Sequence, residues 1–263
     1  MSDSVHRFID NRGVRLCCER RGSGSRHVLF AHGWISSRRM WYDVAQRLDP
    51  SMYTLDLLDF RGCGLSDRPS AGHDLGGYTS DLRSALASID APVTLVGHSM
   101  GGKLAQYIAS ERPANLARLI LVAPGTAKAS RFPEKHRQLT LDAYGSRERI
   151  QRFQRAAMAR EPEPASMERT VDDALVAQYE HWIGWYDRGR GVDFMDRLPA
   201  IDVPTLVIAG AKDPIASSAR VKRDTAEAIT GALFVLLRDA GHNLPIEMPQ
   251  EISGAVERFV PAG

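Results

Sequence analysis

Residues 93–102 read Val-Thr-Leu-Val-Gly-His-Ser-Met-Gly-Gly, and the reading of this stretch decides the fold. The run Val93 to Val96 is apolar without polar alternation, the pattern of a strand covered on both faces. It stops at Gly97; Ser99 follows two residues on, and Gly101 and Gly102 precede a run that suits a helix. Gly-x-Ser-x-Gly between a strand and a helix makes a sharp turn that lifts the serine hydroxyl above the sheet edge. Glycine is needed because flanking Cβ atoms would collide with such a strained backbone. The helix that follows aims its partly positive end at any oxyanion forming near the serine.

Working outward, residues 119–123, 205–209 and 233–237 are further apolar runs of the same kind, each expected to be covered on both faces. Residues 5–9 and 14–19 flank Asn11, Arg12 and Gly13 and predict an antiparallel hairpin. Residues 27–31 (HVLFA) and 53–58 predict two more strands, with a helical stretch over 40–48 between them. A helix is predicted over 79–89 with Thr79 as its N-cap, since Leu82, Leu86 and Ile89 share one face. Strands alternating with helices predict a doubly wound, mainly parallel α/β sheet.

One segment breaks that rhythm. From 125 to 198 no strong buried strand is found, while helix formers are dense. Residues 125–160 carry nine Lys/Arg against three Asp/Glu, and residues 161–187 carry one Arg against seven Asp/Glu. A helical excursion over the sheet whose oppositely charged halves attract each other is one expectation, and two solvated helix faces whose charges never meet is the other. The division predicted is therefore a core of 1–124 and 199–263 with a helical insertion over 125–198, which the family resemblance given below makes a cap, or lid.

Composition narrows the function. In 263 residues, 34 Lys+Arg against 32 Asp+Glu give a formal charge of +2, which offers no whole-molecule basic field for nucleic acid or acidic membranes. The longest apolar run, 232–237, has six residues, far short of the ~20 that span a bilayer. Residues 1–7 are polar, without the apolar stretch of an export signal. The three cysteines include the neighbours Cys17 and Cys18, which are poorly placed to bridge each other. Reduced cysteines and a cytoplasmic location are expected.

A serine hydroxyl is a weak nucleophile until a base takes its proton. Of the eight histidines, His242 alone lies between the last predicted strand and the final helix, at a strand's carboxyl end. His6, His27, His136 and His181 are assigned surface or packing roles, and His98 support of the turn. The base needs an acid to orient it. Asp213, in Gly210-Ala211-Lys212-Asp213-Pro214, follows the strand predicted over 205–209, whereas the loop Pro124-Gly125-Thr126 has no carboxylate. Asp193 and Asp196 are weaker competitors. Two donors should face the oxyanion: the amide of Met100, next to the nucleophile, and the amide of Trp34 in His32-Gly33-Trp34.

With these residues in place the sequence resembles the α/β-hydrolase fold family over nearly its whole length. The resemblance is carried by Gly97 to Gly102, by His32-Gly33, by Asp59-Phe60-Arg61-Gly62-Cys63-Gly64-Leu65-Ser66, and by Gly241-His242 followed by Glu247 and Pro249. It implies an eight-stranded sheet, Ser99, Asp213 and His242 as a triad, and a cap inserted after strand six. It also implies a cofactor-independent enzyme with a small-molecule acyl substrate. Ester, thioester or lactone hydrolysis is the first reading. A carbon–carbon bond hydrolase of ring-cleavage products is the alternative, although such enzymes usually have Asn where His98 stands and an aromatic residue where Asn243 stands. Perhydrolases share the triad, so a peroxide-dependent side activity is compatible. A member that keeps the triad idle and serves as a ligand-binding or scaffold protein is the alternative from another class.

Other motifs fall away. Gly97 to Lys103 fits G-x-x-x-x-G-K, but position 104 is Leu, so the hydroxyl that would ligate Mg²⁺ in a phosphate loop is missing. No histidine pair or cysteine cluster has metal-ligand spacing, so no metal is expected. In the segment 125–198, Tyr179, Trp182 and Tyr186 recur at helical spacing, with Trp185 bordering them. Such a face packs a cap onto a sheet or roofs a pocket; Trp34, Tyr179, Trp182 and Trp185 are the expected substrate contacts.

Overall fold

In a computed structural model, which describes residues 4–131 and 133–260, the chain forms an eight-stranded sheet in the order β1-β2-β4-β3-β5-β6-β7-β8. β1 (Val5–Asn11) and β2 (Val14–Arg21) are the predicted antiparallel hairpin, turning through Arg12 and Gly13, both at positive φ. β2 pairs antiparallel with β4 (Tyr53–Leu58). The remaining ladders join β3 (Arg26–Ala31), β4, β5 (Val93–His98), β6 (Leu116–Val122), β7 (Thr205–Gly210) and β8 (Leu233–Leu237), all in parallel. The polar stretch 1–7 begins outside the described residues.

Covered strands behave as their composition requires. β4, β5 and β7 are buried along their whole length, because apolar layers pack on both faces of the sheet. One layer holds the helices Leu75–Ala87 and Met100–Ala109, the other Tyr42–Ala45 and Pro249–Phe259. β8 departs from the expectation: Leu233 is 58% and Leu236 44% exposed. It is the last strand of the sheet, and an apolar run does not record whether a neighbour will cover it. A second correction concerns the helix predicted over 79–89, which begins a turn earlier. Asp74 caps Leu75–Ala87 by accepting from the Gly77 amide, and Thr79 lies inside the helix, donating to Leu75 O. Gly76 and Gly77 hid that first turn, since glycine weakens a helical pattern without forbidding it.

After β3 the chain goes to β4 on one side, then crosses to β5 on the other, so the sheet order reverses between β3 and β5. The carboxyl ends of two strands that diverge in this way leave a crevice, the usual ligand position in such sheets. The loops at His32–Gly33–Trp34 and at Ser99 open from these ends.

Between β6 and β7 the chain forms the helices Glu134–Asp142, Arg147–Ala156, Pro164–Val176 and Tyr179–Gly184, followed by a π-helical turn at Trp185–Gly189. The oppositely charged halves do meet. Arg137 pairs with Asp187 at 2.7 Å and Arg155 with Glu161 at 2.9 Å, and Arg147 bridges Glu168 and Asp172. Exposed pairs of this kind are screened by solvent, so they guide register more than they hold the segment down. Anchorage comes from buried groups. Asp173 takes hydrogen bonds from Ser37 Oγ at 2.6 Å and Arg39 Nε at 2.8 Å, and a small apolar cluster around Ile150, Met167, Val171 and Trp182 closes against Ile35.

Candidate active site

Ser99 caps the helix Met100–Ala109 with φ 51° and ψ −111°, a backbone state that costs on the order of 1–3 kcal/mol and survives only where its surroundings enforce it. The enforcement is steric. A Cβ on Gly97 would stand 2.5 Å from the Gly101 carbonyl oxygen, so the strand and the helix approach only because that position is glycine. The side chain of Ser99 is thereby turned out of the sheet toward the crevice.

His242 and Asp213 arrive from the ends of β8 and β7. Ser99 Oγ lies 2.8 Å from His242 Nε2, and His242 Nδ1 lies 2.7 Å from Asp213 Oδ2. A carboxylate only accepts, so Nδ1 carries the ring proton and Nε2 accepts from the serine hydroxyl. Asp213 is 7% exposed. Burial opposes its charge, but the His242 ring and the Ala216 and Ile215 amides outweigh that and hold its carboxyl below the usual range. Those amides donate to Oδ1 at 2.8 and 2.7 Å.

The loop bearing His242 is held by a group whose role the sequence reading left unstated. Glu247 accepts from the amides of Gly241 and Asn243 at 2.8 Å each, and from Ala159 at 2.9 Å. The His242 amide donates to Ala157 O at 2.8 Å, and His98 Nε2 donates to His242 O at 2.9 Å. Burial and the neighbouring His242 ring push His98 down to about 3, so it acts as a neutral donor. The spacing Asn243 to Glu247 was a readable signal, because a glutamate just after a loop can gather the loop's amides.

The loop after β3 passes close over Ser99. A Cβ on Gly33 would stand 2.7 Å from His98 Nδ1 and 3.4 Å from Ser99 Cβ, which explains the glycine there. Two residues on, Ile35 has φ 48°, an outlier for a β-branched side chain. Its amide donates to His181 Nε2 at 3.2 Å, and the Trp34 indole N–H donates to His181 O at 3.4 Å. His181, assigned a surface or packing role from sequence, therefore grips the loop that carries the Trp34 amide. Donor directions in the rest of this chain follow from its ends. His73 Nε2 must donate to Pro69 O at 2.7 Å, so His73 Nδ1 accepts from Tyr78 Oη at 3.0 Å. Tyr78 Oη in turn accepts from His181 Nδ1 at 2.6 Å. Every ring in the line is neutral, as burial dictates for His181, which is held well below the ordinary histidine range.

A cavity opens above Ser99. Its wall includes Trp34, Phe153, Trp185 and Tyr186, with Met100 and His242 at the base. Of the expected substrate contacts, Trp34 and Trp185 line it; Tyr179 and Trp182 do not. Trp182 is wholly buried in the apolar cluster beside Ile35, and Tyr179 is 43% exposed against Tyr144. Trp182 and Trp185, three residues apart, project about 60° apart around the helix axis, and Trp185 opens the π-helical turn that follows Gly184. Arg190, Arg220 and His136 also line the wall and went unnoticed as contacts, because single polar residues far apart in sequence carry no spacing signal. Lys103 is turned away from any phosphate-loop role. It donates to the carbonyls of Lys128, Arg190 and Val192, clamping both ends of the helical excursion, and burial pushes its ammonium down to about 8. Among the described residues no cluster of His, Cys, Asp and Glu has the form of a metal site, and no helix is long and apolar enough to cross a membrane.

Residues 28–255 match the sequence profile of the alpha/beta hydrolase family. The chain belongs to that family. Among curated proteins it is similar to a non-heme chloroperoxidase of Streptomyces lividans, 27% identical over 255 residues covering 89% of this chain and 91% of that protein. Among solved structures it is similar to an esterase from Exiguobacterium antarcticum, at TM-score 0.85 and 24% identity, covering 98% of this chain and 100% of that one. It is also similar to a bromoperoxidase from Bacillus anthracis, at TM-score 0.84 and 23% identity, covering 97% of this chain and 99% of that one. The elbow, the sheet order and the crevice between β3 and β5 are thus those of an alpha/beta hydrolase, in which the reaction depends on the groups set around that crevice.

Proposed function

We propose that the protein is a serine hydrolase that cleaves small carboxylic esters, thioesters or lactones through an acyl-enzyme on Ser99. The observation that carries the reading is the hydrogen-bonded line Ser99–His242–Asp213, with distances of 2.8 and 2.7 Å. In this mechanism Ser99 Oγ attacks the acyl carbonyl while His242 Nε2 takes its proton. The imidazolium that forms is stabilised by the Asp213 carboxylate, which accepts from Nδ1 throughout. The tetrahedral oxyanion is met by the amides of Met100 and Trp34 and by the amino end of the helix Met100–Ala109. Collapse returns the proton from His242 to the leaving oxygen or sulfur and leaves the acyl group on Ser99. Water, deprotonated by His242, then releases the carboxylic acid and restores the serine. The helices between β6 and β7 act here as a lid over the cavity, a unit of 125–198 set on a core of 1–124 and 199–263.

The chloroperoxidase and bromoperoxidase names among similar proteins favour one side reaction at the same centre. Hydrogen peroxide replacing water in the second half gives a peracid and free serine, with no metal required.

A fluorophosphonate probe tests the reading directly. It is expected to label the wild-type protein at Ser99, and 4-nitrophenyl acetate is expected to be turned over with the same pH and inhibitor sensitivity. Labelling at Ser99 absent from a folded protein, together with no turnover of any 4-nitrophenyl ester, would refute it.

A further inference from the structure

The helix Arg147–Ala156 touches two parts of the centre proposed above. It is rich in arginine, and of its ten residues only Ile150 and Gln154 are buried, one turn apart on the same face. Ile150 joins the apolar cluster that holds Ile35, and the Phe153 ring meets the Trp34 ring edge-on, with centroids 6.3 Å apart. Gln154 reaches the histidine loop instead. Its Oε1 accepts from Nδ2 of Asn243, the residue next to His242, at 2.9 Å.

The contacts continue along the chain. The His242 amide donates to Ala157 O, and one oxygen of Glu247 gathers the Gly241 amide of the histidine loop together with those of Ala159 and Arg160, at 2.9 and 3.2 Å. A Cβ on Gly241 would stand 2.6 Å from Ala159 N and 2.7 Å from Ala157 O, so the two segments lie backbone against backbone. The side-chain pair is the member that local structure does not demand. Asparagine is a favoured N-cap, and Asn243 stands at the N-cap of the helix Leu244–Glu247, yet its side chain makes no capping bond there. It is directed at Gln154. The two side chains are 6% and 5% exposed, and a buried carboxamide is tolerable where another polar group answers it. Both also line the cavity above Ser99, beside His242.

We infer that Gln154 is a positioning residue for His242. Acting through Asn243, it fixes the histidine loop against the helical excursion, so the catalytic base is mounted on that excursion as well as on the sheet. The inference rests on the serine-hydrolase reading and extends it. The stretch 153–160 belongs to the frame of the catalytic centre and stays docked through turnover, because lifting it away would carry the base out of line with Ser99.

The test removes the hydrogen bond from either side, in Gln154→Leu and in Asn243→Leu, and keeps an acceptor in Gln154→Glu. Two readouts are taken with Tm alongside: hydrolysis of 4-nitrophenyl acetate, and the low-field proton NMR signal of His242 Nδ1–H, assigned by its loss in His242→Gln. The signal needs no substrate, so it reports the base and not a contact between Gln154 and an ester. In both Leu variants kcat should fall at least about five-fold with KM within about two-fold of wild type, since a small displacement of a catalytic group is enough to slow the reaction. The low-field signal should shift or broaden, and Gln154→Glu should recover part of kcat. The double Leu variant should lose no more than the worse single one, because the two side chains form one contact. Wild-type kcat and an unmoved signal in both folded Leu variants overturn the inference; so does a loss confined to KM, which makes Gln154 a substrate contact. Where one Leu variant fails to fold, the other decides. Fluorophosphonate labelling and turnover by the wild type report separately on the hydrolase reading. If both hold and the Leu variants match wild type, only the positioning role falls. If both fail while the signal still moves in the Leu variants, the positioning role stands and the hydrolase reading falls.

Discussion

His181→Phe removes the grip on the loop after β3, whose Trp34 amide is proposed to face the oxyanion, while keeping a buried ring of similar bulk. His181 is wholly buried, and the substitution strands two groups at once: the Ile35 amide, which loses its acceptor at 3.2 Å, and Tyr78 Oη, which loses its donor at 2.6 Å. An unsatisfied buried amide costs about 1–3 kcal/mol. Ile35 is already held at φ 48°, so relaxation of its backbone is the cheapest release, and that motion carries the adjacent Trp34 amide with it. If the cost falls wholly on the transition state, about 1.4 kcal/mol per decade makes it roughly a five- to 150-fold loss of kcat. Outright loss of one oxyanion donor, at about 10²–10³-fold, sets the ceiling. Steady-state hydrolysis of 4-nitrophenyl acetate, with Tm measured alongside, reads this out. The expected signature is kcat falling within that range, KM nearly constant, and His181→Asn, which can still accept from Ile35, recovering part of kcat. A folded His181→Phe protein with wild-type kcat and only a lower Tm would refute the positioning role and leave His181 a packing residue.

Ser99→Ala should lose about 10⁴-fold or more in kcat and all fluorophosphonate labelling with Tm unchanged, and Asp213→Asn about 10³–10⁴-fold, because the three groups act as a unit; retention of labelling in a folded Ser99→Ala protein would sink the mechanism. Trp182→Ala should cost about 3–5 kcal/mol in urea unfolding, as its ring is wholly buried, with little change in substrate preference. Trp185→Ala should instead raise KM for bulky 4-nitrophenyl esters more than for the acetate, since it lines the cavity; equal loss for all chain lengths contradicts that assignment. Glu19 is buried against its charge, but hydrogen bonds from Tyr42, Arg21 and Arg38 outweigh that and bring it from 4.5 to about 2. A lowered carboxyl stabilises fully above its unfolded value and loses that contribution as pH falls toward the folded one, here on the order of 3 kcal/mol. The stability gap between wild type and Glu19→Gln in urea should therefore shrink between pH 5 and about 2, and a pH-independent gap would contradict it.

Much of the molecule was written in local pattern. Strands β3 and β5 to β7 could be placed from short apolar runs because a strand covered on both sides disfavours a polar face. The strained serine could be found because glycine is the residue that lets a strand and a helix approach within 2.5 Å of a virtual Cβ. Asp213 and His242 were legible from order and from position after strands, since a parallel sheet gathers the carboxyl ends of its strands on one side. The mutual attraction of the two halves of 125–198 was also visible in their opposite charges.

What only the tertiary structure decided has a common physical cause: it depends on which surfaces meet, and sequence spacing does not encode that. The exposure of β8 followed from its place at the sheet edge, not from its composition. Trp182 and Trp185, three residues apart, went to an apolar cluster and to the cavity wall, a division that helical spacing, which sets them side by side, does not encode. His181 acquired its hold on Ile35 across 146 residues, and Gln154 met Asn243 across 89. A periodic element repeats its signal every few residues, so the chain announces it; a contact between distant single side chains is specified once, by packing, and appears only when the chain is folded.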